Sequence, residues 1–398
     1  MSTVRPFTLN VPDAAIADLH RRLDATRWPG DFDDPDWAFG MNVGYLRDLV
    51  RYWREEFSWR SAESRINSFE QYVLELDGLD LHFIHQRSPH PQARPLLMTH
   101  GWPGSIVEFL EVIPRLTTPE AFGGTAEDAF HLVCPSLPGY GFSAAPRAPG
   151  MHPGVIADRH HRLMMALGYD RYLAQGGDWG SPITQLTAVR APQHCRAIHV
   201  NLVTPEPPRD APDPMAIVRE HEKEWLAANA RHQRDGTGYF ALQCTRPQAA
   251  GVALADSPAG LCAWIAEKFH YWSDCERDGA RDIRNAVSWD ALLSNVSLYW
   301  FSNSIASSIR LYKEFALALG RGELALGGRL PVPLGISVYP HEIFRSPRAW
   351  ADARGQIIYW AEPERGGHFA AMEQPQAFAE ELRRFARSAD AALAGAPG

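Results

Sequence analysis

The run Gly176-Gly177-Asp178-Trp179-Gly180 constrains this chain more than any other stretch. It follows the strand-like Tyr172-Leu173-Ala174-Gln175 and leads into Ser181-Pro182, which reads as the opening of a helix. Glycines on both sides of one reactive side chain, between a strand and a helix, are what a nucleophile turn requires, because a Cβ there would clash. Ser is the usual occupant and makes an acyl enzyme from an ester or amide. A carboxylate in its place attacks saturated carbon, opening an epoxide or displacing a halide, and becomes an ester itself. Water must then attack that ester's carbonyl, so Asp178 needs a base and an oxyanion hole. An Asp-capped turn would have the same five residues. Their partners elsewhere in the chain decide.

Strands and helices alternate around this turn. Leu96-Leu97-Met98 reads as a buried strand ending in His100-Gly101-Trp102-Pro103-Gly104-Ser105, followed by a helix with Val107, Leu110 and Ile113 inside. Phe130-His131-Leu132-Val133 leads to Pro135–Ser143, and Ile198–Leu202 comes after the turn. Short apolar strands alternating with helices predict a parallel α/β sheet, with ligands beyond the carboxyl ends of its strands. After Thr204 the alternation lapses into helices, including Met215–Ala230 and Leu261–Trp272, then resumes with Val332–Tyr339, Gln356–Trp360 and a terminal helix, Pro375–Ala389. Ahead of the sheet, residues 11–60 read as helical, and Tyr72–Leu76 and Leu81–His85 flank Asp77-Gly78-Leu79-Asp80 as a hairpin. The expected division is an N-terminal extension (1–93), a core in two parts (94–204 and 326–398), and a helical cap inserted between them (205–325).

A net charge of −8 gives no reason to expect nucleic acid or an anionic membrane as a partner. Five scattered cysteines without a C-x-x-C pair argue against a disulfide framework or a zinc site and fit a reducing cytoplasm. Met1–Arg21 has no signal-type apolar core, and no apolar stretch is long enough to span a bilayer. A cytoplasmic protein is expected. Lys223, Lys268 and Lys313 are the only lysines, an Arg-heavy balance that suggests a GC-rich bacterial source.

Asp178 finds its candidate base in His368, within Arg365-Gly366-Gly367-His368-Phe369 after the last strand, where two glycines let the backbone bend back. An orienting acid must fix the imidazole tautomer. Glu342, after the penultimate strand, fits, with Asp352, Glu362 and Glu364 as competitors. The order nucleophile, acid, base is that of the α/β-hydrolases. Backbone N–H groups of Trp179 and Trp102 are the candidate oxyanion hole.

His100–Ser105, Pro135–Ser143, Gly176–Gly180 and Gly366–Phe369 together resemble the microsomal-type epoxide hydrolases of the α/β-hydrolase superfamily. Phe7-Thr8-Leu9 and Leu23–Pro29 resemble that family's N-terminal region, so the likeness covers nearly the whole chain. It implies an α/β-hydrolase fold with a helical cap insertion and an N-terminal extension. It also implies hydrolysis of an epoxide to a vicinal diol, with no cofactor and no metal. The segments Gly238–Gln243 and Arg310–Glu314 are similar to those holding the family's two cap tyrosines, which makes Tyr239 and Tyr312 the proton donors to the epoxide oxygen. The expected substrate is a small hydrophobic or aromatic epoxide, met in detoxification or in tailoring an enediyne-type antibiotic; a homodimer is left open. Two other readings compete: a haloalkane dehalogenase, which shares the Asp nucleophile but typically has Asn where Trp102 stands, and a non-catalytic scaffold, which would not require the triad.

Overall fold

The computed structural model describes residues 3–30, 37–324 and 326–395. The helical expectation at 31–36 and the cap boundary at 325 lie outside the described residues. Nine strands make one sheet: β1 (Arg5–Phe7), β2 (Gln71–Leu76), β3 (Leu79–Gln86), β4 (Arg94–Thr99), β5 (Phe130–Pro135), β6 (Tyr172–Gly176), β7 (Cys195–Val200), β8 (Leu334–Ser337) and β9 (Ile357–Ala361). Their spatial order is β1-β2-β3-β5-β4-β6-β7-β8-β9. From β5 to β9 every pairing is parallel, whereas β1, β2 and β3 join antiparallel, β3 against β5. The sheet is therefore mixed, not purely parallel. The hairpin causes this: Asp77 (φ 54°) and Gly78 (φ 72°) form a two-residue turn whose left-handed residues match strand twist. The hairpin thus extends the sheet through β5.

The chain has the α/β-hydrolase fold, with a helical cap between β7 and β8. The cap's helices are Glu220–Asp235, Gly238–Thr245, Pro247–Asp256, Pro258–Trp272, Trp289–Phe301 and Ile305–Gly320. The first starts later than the expected Met215. Glu222 accepts the Arg219 N–H at 2.9 Å on one oxygen and the Arg348 N–H at 2.8 Å on the other, which fixes the start. A small hairpin, Glu276–Arg277 with Ala280–Arg281, also interrupts what reads as mostly helical sequence. The helix expected over Val107–Ile113 is broken into a 3-10 turn, Ile106–Phe109, and a helix, Val112–Thr117. Pro114 has no N–H for the Leu110 carbonyl, which accepts from Arg65 Nη2 at 3.1 Å instead.

N-terminal helices Asp13–Asp24 and Val43–Glu55 lie against the cap. The Trp53 indole donates to Ser297 Oγ (3.0 Å), the Tyr52 hydroxyl to Asp290 (2.9 Å) and Arg22 to the Asp256 carbonyl (2.8 Å). Leu49 and Trp53 are buried in the core beneath. The N-terminal segment therefore both widens the sheet and braces the cap over its carboxyl edge. Among the described residues no single helix is long and apolar enough to cross a membrane.

The turn after β6 leaves no room for side chains. A Cβ on Gly180 would lie 1.9 Å from the Thr99 carbonyl oxygen, so helix Gly180–Arg190 packs backbone against the end of β4. Gly180→Ala is expected to destabilise the protein by about 3 kcal/mol through this overpacking. A urea midpoint unchanged from wild type would show that the turn relaxes freely.

Candidate active site

Asp178 sits at the tip of that turn with φ 47°, a left-handed conformation that aims its carboxylate away from the sheet. One carboxylate oxygen, Oδ1, accepts the Trp102 N–H at 2.7 Å and the Trp179 N–H at 2.6 Å. Gly101 makes this approach feasible, since a Cβ there would fall 2.0 Å from Oδ1. The other oxygen, Oδ2, lies 3.1 Å from His368 Nε2, and His368 Nδ1 lies 2.6 Å from Glu342 Oε1. Glu342 Oε1 also accepts the Ile343 N–H at 2.7 Å. Of the competing acids, Asp352 pairs with Arg348 (3.0 Å) and Glu362 with Arg219 (3.7 Å). The structure brings Glu342 to His368, while Asp352 and Glu362 are engaged elsewhere.

Burial alone would lower the His368 pKa. The Glu342 charge and the hydrogen bonds to Asp178 and Glu342 outweigh it and hold the imidazole well above its ordinary value. That shift favours the protonated ring, which at these distances can donate to a carboxylate from each nitrogen.

The two tyrosines come from different cap helices, Tyr239 from Gly238–Thr245 and Tyr312 from Ile305–Gly320. Their ring centroids are 6.0 Å apart; Tyr239 stacks on Trp102 at 5.4 Å and Tyr312 meets Trp179 edge-on at 4.8 Å. They line a cavity of about 480 Å³ with Asp178 at its floor, walled by Trp179, Phe240 and Phe315. Burial first, and the Asp178 charge among the further causes, raise both phenols well above the ordinary value. Both remain protonated and able to donate.

Residues 4–109 match the family described as "Epoxide hydrolase N terminus", and residues 94–241 match "alpha/beta hydrolase fold". A Stigmatella aurantiaca protein named for the epoxide hydrolases is 48% identical over 96% of this chain and 84% of its own. The chain belongs to the epoxide hydrolase family. Epoxide hydrolase 1 of Oryctolagus cuniculus is 35% identical over 96% of this chain and 88% of that one. The solved epoxide hydrolase of Aspergillus niger superposes with a TM-score of 0.85 at 32% identity, covering 97% of each chain.

Several residues that hold this epoxide hydrolase's site together escape a reading by motif. His100 Nε2 accepts the Leu137 N–H (3.2 Å), so Nδ1 carries the proton and donates to the Gly101 carbonyl (3.0 Å). Burial lowers its pKa to about 4, which keeps this neutral tautomer in place beneath the Trp102 N–H. From the cap, Asn295 donates to the Pro103 carbonyl (2.7 Å) and Tyr299 to the Gly104 carbonyl (2.7 Å). The His368 loop is held in the same way. The His368 N–H donates to the Trp272 carbonyl (2.9 Å), and Asp274 accepts the Gly366 N–H (3.0 Å) and Arg365 Nε (2.6 Å). Glu373 accepts the N–H groups of Asp274 (2.8 Å) and Phe369 (3.0 Å). Cap and core therefore share the hydrogen bonds that hold the His368 loop and the loop His100–Ser105. Asn295, Tyr299 and Asp274 carry no local sequence signal, because the groups they hold in these two loops lie more than ninety residues away.

Among the described residues, His221, Glu222 and Glu362 group closely enough to suggest a metal site. Both Glu222 oxygens already accept backbone N–H groups, and Arg219 approaches both carboxylates. That arrangement is an ion-pair cluster closing the cap onto the core.

Proposed function

We propose that this epoxide hydrolase works through a covalent ester on Asp178. The observation that carries the reading is the division of labour in one carboxylate: Oδ1 is held by two N–H donors, while Oδ2 is held by His368 beside two protonated phenols. Oδ2 attacks an epoxide carbon, the ring C–O bond breaks, and Tyr239 or Tyr312 protonates the departing oxygen. The imidazolium proton then restores the tyrosine, leaving His368 neutral. Esterification favours this, because it removes one of the two carboxylate charges that keep the imidazole protonated. Neutral His368 takes a proton from water, whose oxygen adds to Cγ. The oxyanion forms on Oδ1 between the Trp102 and Trp179 N–H groups. Collapse breaks the Cγ–Oδ2 bond, His368 protonates the diol, and the carboxyl proton left on Asp178 returns to the imidazole.

His368→Gln is expected to alkylate but not to hydrolyse, cutting steady-state turnover about 10³-fold and leaving a stable adduct on Asp178. Intact-protein mass spectrometry after mixing with styrene oxide reads this directly. Normal turnover in the variant would mean that the base lies elsewhere. Glu342→Gln should give a weaker form of the same defect. In wild type, ester hydrolysis should slow as pH falls. Its midpoint should lie below the imidazole pKa of the free enzyme, because the ester carries no charge.

The aromatic wall supports a hydrophobic or aryl epoxide of moderate size. Gln185, Glu206 and Arg354 at the cavity's other end leave room for a polar substituent. All five cysteines are free, in keeping with a reducing cytoplasm. Detoxification and tailoring of a secondary metabolite such as an enediyne both fit this chemistry.

A further inference from the structure

Asp178 separates two cavities. The large one holds the tyrosines; behind the carboxylate lies a second, of about 20 Å³, lined by His100, Trp102, Gly104, Glu108, Gln175 and His368 among others. Among the described residues Asp178 alone lines both, and His368 is among the residues lining the small one. A volume of about 20 Å³ is room for one water molecule, and His100, Glu108, Gln175, Asp178 and His368 bring polar side chains to a lining otherwise partly apolar.

Glu108 is the member of this lining that the reaction outlined above does not use. Its side chain folds back over Gly104, where a Cβ would lie 1.7 Å from Oε1. The loop His100–Ser105 therefore omits a side chain twice to admit a carboxyl group: at Gly101 for Asp178 and at Gly104 for Glu108. A third ionised carboxylate beside Asp178 and Glu342 would be electrostatically costly. Burial first, with the neighbouring Asp178 and Glu342 charges adding to it and His368 opposing, pushes the Glu108 pKa up to about 8. At neutral pH its acid form predominates, with a carbonyl oxygen that can accept a hydrogen bond.

We infer that the small cavity seats the water that hydrolyses the ester, and that Glu108 is the second group, with His368, that holds it. This rests on the covalent reading above. The epoxide reaches Asp178 from the cap side and the water from the core side, so the two reactants never compete for one space. One water O–H points to His368 Nε2 and is transferred there. The other donates to Glu108, which keeps its own proton throughout, and the water oxygen is aimed at Cγ.

The test is to follow formation and decay of the ester by rapid quench and intact mass, using styrene oxide as the probe. Glu108→Leu fills the space without an acceptor, Glu108→Ala empties it, and Glu108→Gln restores an acceptor. Ester decay is expected to slow about 30–100-fold in the Leu and Ala variants, with alkylation within about threefold of wild type. Glu108→Gln should recover to within about fivefold of wild-type decay. Decay unchanged in both loss variants overturns the inference. So does a parallel fall in alkylation and decay, which would make Glu108 a structural support of the loop. If wild type forms no ester at all, the covalent reading fails instead, a distinct outcome. Should Glu108→Leu not fold, Glu108→Ala and Glu108→Gln still decide.

Discussion

Asp178→Ala is expected to yield a folded protein whose diol formation has fallen at least about 10⁴-fold. The variant removes the attacking atom and leaves the rest of the site in place. The Trp102 and Trp179 N–H groups lose their shared acceptor and His368 loses one of two carboxylate partners, so thermal stability should also change. A far-ultraviolet spectrum like that of wild type separates lost chemistry from lost fold. The same prediction has an isotopic form that needs no variant. In heavy-oxygen water, a single turnover should leave the label in the Asp178 carboxylate and unlabelled oxygen in the first diol. This follows because Oδ2 departs with the product and the water oxygen stays on Cγ. Label in the first diol and none in Asp178 would mean that water attacks the epoxide directly, with the carboxylate serving only as a base.

The second large effect belongs to the cap. Tyr239→Phe or Tyr312→Phe should each slow alkylation about 10–1000-fold, the remaining phenol compensating in part. The double variant should lose ring opening by about 10⁴-fold or more. Both phenols are buried against aromatic partners, so replacement by Phe preserves packing and removes only the donor. A halide leaving group needs no proton. An enzyme built for dehalogenation would therefore be far less sensitive to the pair of changes. Styrene oxide and a chloroalkane, tested against wild type and the double variant, give the comparison. Chloride release by wild type that persists in the double variant would favour the dehalogenase reading over the one argued here.

Local sequence carried a large part of this architecture because its strongest constraints are local. A strand, a sharp glycine turn and a helix must follow one another directly for Asp178 to reach φ 47°, so Gly176–Gly180 could be read without a structure. The same holds for His100–Ser105 and for the bend before His368, where glycines mark close backbone approach. For Glu342, spacing left three competitors, and only the 2.6 Å contact to His368 Nδ1 chose among them. Tyr239 and Tyr312 were named by resemblance alone, since nothing in a run of helices says which side chains converge. Pro114 breaking the helix after Ile106–Phe109 was visible in the sequence but lost against apolar spacing. The antiparallel junction of β3 with β5 was not visible at all, because strand pairing is a long-range choice. What only the tertiary structure decided is the partition around Asp178, with the cavity of Tyr239 and Tyr312 on one side and the small cavity with Glu108 on the other. It arises where helices of the cap, held by Asn295, Tyr299 and Asp274, meet loops of the core. A one-dimensional pattern records which residues can hydrogen-bond. It cannot record which distant backbone group will be there to meet them.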